Sequence, residues 1–168
     1  MEYVRAGCVS LIALVFVASA VSKLRDLGGF ERSLPALAPV PSRLVRPLAR
    51  AVVAAEAVIP VLLLVPPATA YGFGLAGVLL IAFTVAIAVA LRRGRRAPCR
   101  CFGASSTPIA PRHLVRNATL LVAAALGGMA PGGLPVTAGL AIAVAGGLVG
   151  AILIVALDDI VDLFARSS

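Results

Sequence analysis

In this chain of 168 residues, 61% are hydrophobic and only 13% are charged, which leaves too little polar surface to cover a water-soluble fold of this size. A net charge of +8 would suit a nucleic-acid-binding protein, but the basic residues gather between long apolar runs instead of forming one patterned face. Together these features exclude a soluble catalytic domain and make the bilayer the solvent.

Apolar runs near the length of about 20 residues that crosses a hydrocarbon core recur along the chain. Membrane spans are expected at Val4 to Ser22, Leu48 to Pro66, Gly72 to Leu91, Leu114 to Ala130 and Pro135 to Leu157 (4-22, 48-66, 72-91, 114-130 and 135-157), an all-α polytopic helical bundle in a single membrane domain. The fourth carries Arg112, His113, Arg116 and Asn117 around its start, so it is expected to snorkel these groups to the surface or to form half of a re-entrant hairpin with the fifth. In the first, Ala18-Ser19-Ala20 resembles a signal-peptide cleavage site. Retention is the expectation, because the start of the chain is nearly neutral, with Glu2 and Arg5, and cleavage would export a very basic segment.

Charge orients the spans. Lys23, Arg25, Arg32, Arg43, Arg46 and Arg50 flank the first connection, and Arg92, Arg93, Arg95, Arg96, Arg100, Arg112 and Arg116 the third, whereas the second and fourth connections carry none. By the positive-inside rule the N-terminus lies outside and the basic loops 23-50 and 92-116 are cytoplasmic. The run Arg92 to Arg96 is short and lacks interleaved aromatics, so nucleic acid is not expected as a partner. Within the first connection, Leu27, Phe30 and Leu34 have helical spacing and mark a short amphipathic helix on the headgroups. Pro35, Pro39 and Pro41 are expected to end it, with Ser42 capping the next helix.

Three features exceed hydropathy. Pro98-Cys99-Arg100-Cys101-Phe102-Gly103 places two of the chain's three cysteines one residue apart in a polar loop. A disulfide between them needs a sharp turn and would be strained and easily reduced, while Arg95, Arg96 and Arg100 favour the thiolate. This fits an exchanging thiol pair. A metal reading, with Cys99, Cys101 and His113 as ligands, stands beside it but lacks a fourth donor nearby. Cys8, among apolar residues, is expected to pack as a hydrophobe.

Glu56 falls near the middle of the second span, where a carboxylate costs on the order of 3 kcal/mol, so it should face the bundle interior with a partner. Ser19, Ser22 and Lys23 are the candidates, and both a proton or ligand site and a packing hydrogen bond remain open. Gly139, Gly146, Gly147 and Gly150 in the last span include a Gly-x-x-x-Gly spacing that implies close helix packing, within the chain or with a second copy. No Walker loop, dinucleotide fingerprint or nucleophile elbow is present, and no cofactor is expected.

Ser19 to Asp26 followed by Phe30, then Glu56, then Cys99-Arg100-Cys101-Phe102-Gly103 resemble the MauE family of methylamine utilisation membrane proteins over roughly residues 1 to 125. The resemblance implies a DoxX-like four-helix core, with the last helix as an addition, and a role in maturation of methylamine dehydrogenase, whose small subunit is rich in disulfides. It makes Cys99 and Cys101 the redox pair and Ser22, Lys23 and Glu56 the family's polar positions. The partner so implied is a thioredoxin-like or disulfide-rich protein. One tension follows: disulfide insertion into an exported enzyme belongs outside, yet the charges place Cys99 and Cys101 inside. A chain with one pair plus Cys8 also lacks the two pairs that a quinone-coupled oxidase relays electrons between.

Overall fold

The computed structural model describes residues 2–37, 40–94, 110–130 and 137–166. Among them are six α-helices, one 3-10 turn and no strand: α1 (Glu2–Arg25), α2 (Leu27–Leu37), α3 (Ser42–Leu64), the turn Pro66–Ala68, α4 (Thr69–Arg92), α5 (Pro111–Met129) and α6 (Thr137–Arg166). Stretches of α1, α3, α4 with its leading turn, and α6 are long and apolar enough to cross a membrane. The all-α membrane bundle expected from composition is therefore what forms.

α1, α3, α4 and α5 pack as a ring in which each touches the next and α5 closes onto α1. Ile12, Phe16, Ile59, Leu80, Ile87 and Leu120 fill its centre, all fully buried. Large apolar side chains such as Val61, Leu64, Val78, Ile81, Val122 and Ile152 stay exposed, a surface that suits hydrocarbon rather than water. At one end, Arg5 donates to the carbonyl of Ala130 at 2.9 Å, tying the start of α1 to the end of α5. From Arg5 to Arg25, α1 rises ~30 Å at 1.5 Å per residue, the thickness of a hydrocarbon core.

Past Arg25 the chain turns and α2 packs against α3 and α4, so it extends the ring where α1 stops. Asp26 caps it, its carboxylate accepting from the Gly29 N–H at 2.8 Å. Phe30 and Leu34 bury against Ala49 and Val53, and Leu37 reaches the central core. The predicted amphipathic helix is present, but it is packed onto the bundle. Pro35 sits inside it and does not end it, because the burial of Leu37 holds the last turn. Nor does Ser42 cap α3: Pro41 holds the N-cap position without a side-chain bond, and Ser42 is the first helical residue. α3 begins six residues before Leu48, where the apolar run starts, because a hydropathy pattern marks the membrane-embedded stretch and not the ends of the helix.

α6 lies outside the ring on α1. Gly139 lies against Tyr3, Gly147 against Gly7 and Ser10, and Gly150 against Leu11, so the two helices run parallel. A Cβ on Gly147 would stand 2.6 Å from the Gly7 carbonyl oxygen, so glycine is what lets the backbones approach. Close packing was expected, but the Gly146–Gly150 spacing is not its register: a Cβ on Gly146 would meet no other helix within 4 Å among the described residues, and the contact follows Gly139, Gly147 and Gly150.

Candidate functional site

α1 and α3 bring three polar side chains together inside the ring. Lys23 Nζ donates to Glu56 Oε1 at 2.8 Å and to Ser19 Oγ at 2.6 Å, and Ser19 in turn donates to the same carboxylate oxygen at 3.0 Å. Ser19 and Lys23 are one helical turn apart, and helical side chains lean toward the N-terminus. The lysine stem accordingly reaches back from the last turn of α1 to the level of Ser19. Glu56 and Ser19 are fully buried and Lys23 is 2% exposed. The rings of Phe30 on α2 and Phe83 on α4 stand 5.2 and 5.5 Å from the ammonium, within cation–π range. The charge pair is thus enclosed by α1, α2, α3 and α4.

α5 extends the polar interior. Asn117 Nδ2 donates to Thr84 Oγ1 at 3.3 Å, and Thr84 follows Phe83 directly in α4. His113, Arg116 and Asn117 are buried. They share a face with Leu120, Ala124 and Gly127, the face that meets the ring. This corrects the snorkelling expected for these residues: the polar groups point into the bundle, not to its rim. α5 also runs from the level of Thr84 to that of Arg5, so it is not half of a short re-entrant hairpin. Two acceptors, Glu56 Oε2 and Asn117 Oδ1, are buried with no hydrogen-bond donor among the described residues.

Of the site residues proposed from sequence, Glu56 and Lys23 meet directly, whereas Ser22 is half-buried and forms no hydrogen bond with either. Ser19 fills the place considered for it or Ser22. Cys99 and Cys101 lie outside the described residues; the segment that carries them leaves α4 after Gly94 and rejoins at Ala110, before α5. The metal reading rests on the same two cysteines, and its third residue, His113, is buried on α5. Cys8 is half-buried and packs against the core, as a hydrophobe would. Sequence reasoning missed Phe30 and Phe83 as walls around the lysine, and Asn117 with Thr84 as a second polar bridge. The positions 113, 116, 117, 120 and 124 have the spacing of one helix face, a signal that could have revealed the inward orientation.

Fold and site define a small polytopic membrane protein built as a four-helix ring around a buried ion pair, with one further helix on its flank. The model of the family described as methylamine utilisation protein MauE matches residues 1–130, and the chain belongs to that family. The match ends where α5 ends, so it covers the ring and α2 and leaves α6 outside. No curated protein and no solved structure matches the chain.

Proposed function

We propose that this MauE-family membrane protein serves methylamine utilisation as an accessory factor that exchanges thiols and disulfides with a thioredoxin-like or disulfide-rich partner through Cys99 and Cys101. The observation that carries this reading lies in the sequence: two of the chain's three cysteines stand one residue apart beside Arg95, Arg96 and Arg100, in the segment between α4 and α5. In the exchange, a thiolate of the pair attacks one sulfur of the partner's disulfide, and the partner's other sulfur leaves as a thiolate. The second cysteine then attacks the mixed disulfide, so the pair ends oxidised and the partner reduced; the reverse sequence oxidises a partner dithiol. A Cys-x-Cys disulfide is strained, which suits turnover over permanence. The basic end faces the cytoplasm of a bacterial inner membrane, the N-terminus lies outside and α5 makes a fifth crossing, in keeping with the placement of Lys and Arg.

A second reading, a non-enzymatic transport or assembly factor centred on Glu56, is favoured by the open acceptor Oε2 inside the ring. Complementation in a methylamine-grown strain lacking the chain separates the two. Thiol exchange requires that Cys99→Ser with Cys101→Ser abolish growth on methylamine at normal protein level. Retained growth in that variant, together with loss in Glu56→Gln at normal protein level, gives the second reading.

A further inference from the structure

Beyond Arg25, where α1 ends, α2 and the first turn of α3 enclose an open cleft of about 390 Å³. Arg32, Pro35, Val40, Val45 and Arg46 line it together with Glu31. Its floor is apolar and its rim basic. Arg32 and Arg46 are exposed, and Arg46 Nε stands 3.7 Å from Glu31 Oε2, outside hydrogen-bond distance, so its donors remain available to an anion. Leu44 and Leu48 are exposed on the same stretch of α3. If ~30 Å of α1 up to Arg25 occupies the hydrocarbon core, this cleft lies in the headgroup layer.

We propose that the cleft seats one anionic phospholipid, its phosphate against Arg32 and Arg46 and the first carbons of its chains over Pro35, Val40 and Val45. Charge complementarity selects this occupant: the lining carries two guanidinium groups and one carboxylate, so an anionic headgroup is drawn in, while the apolar floor gives a lipid an advantage over a free anion. α2 is thereby held against α3 by the membrane itself.

The full chain in neutral detergent is mixed with phosphatidylglycerol or phosphatidylcholine, and retained lipid is counted by native mass spectrometry. One phosphatidylglycerol should be retained in preference to phosphatidylcholine. Arg32→Gln with Arg46→Gln should weaken its retention about thirtyfold, at roughly 1 kcal/mol per basic residue. Arg92→Gln with Arg93→Gln, which removes the same charge from the exposed end of α4, should leave retention unchanged. Val40→Trp, which fills the cleft without altering charge, should lower it. Three results would each overturn the proposal: no preference for phosphatidylglycerol, an equal loss in the Arg92 and Arg93 variant, or displacement of the lipid by millimolar inorganic phosphate.

Discussion

Lys23 and Glu56 show how a costly residue becomes a specific one. Removing both charges from water carries a desolvation penalty of several kcal/mol per ion, offset here by a 2.8 Å contact, a shared serine and two aromatic faces. Breaking the pair from one side strands the other charge. Lys23→Met and Glu56→Gln should each destabilise the protein by about 3–5 kcal/mol, whereas the double variant should cost much less than their sum. Unfolding in mixed micelles measures this cycle; additive effects would mean that the two groups are not coupled. Ser19→Ala removes two hydrogen bonds and should cost about 1–2 kcal/mol, less than loss of either charge. The need for a partner was legible in the sequence, since a lone carboxylate in an apolar run demands one. Which of two serines supplied it was not, because Ser19 and Ser22, three residues apart, share one side of α1 and only packing decides which of them turns inward.

At the scale of the helices, glycine and proline acted in ways that spacing alone does not reveal. The Gly-x-x-x-Gly spacing suggested Gly146 and Gly150, yet α6 turns Gly139, Gly147 and Gly150 toward α1 and leaves Gly146 open. The two adjacent glycines therefore give a sharp test. Gly147→Leu should overpack the α1–α6 contact and lower stability by about 1–3 kcal/mol, while Gly146→Leu should be close to neutral in thermal unfolding of the detergent-solubilised protein. Equal effects would contradict the parallel register. α5 was also only partly legible. Its length could be read, but Arg112, His113, Arg116 and Asn117 lower its hydropathy, and only its neighbours show that His113, Arg116 and Asn117 are buried within the ring while Arg112 is half-buried.

The whole molecule divides at Ala130. The family match and the four-helix ring end together there, and α6 is an addition held by small residues on one face of α1. The membrane class of the protein was legible from composition, because no other solvent suits a chain that is 61% hydrophobic. The Thr84–Asn117 bridge between α4 and α5 was not, since it joins two helices whose facing sides only packing decides. The orientation proposed from the placement of Lys and Arg puts Cys99 and Cys101 on the cytoplasmic side. A membrane-impermeant thiol reagent should therefore label this pair only after the membrane is opened; labelling in intact cells would reverse the orientation. Thiol exchange itself is tested most directly by acid quenching of growing cells, rapid alkylation and mass spectrometry of the peptide that contains Cys99 and Cys101. During methylamine growth a fraction of the pair should be found as an internal or mixed disulfide, and a pair that stays fully reduced under every growth condition would contradict the proposed exchange.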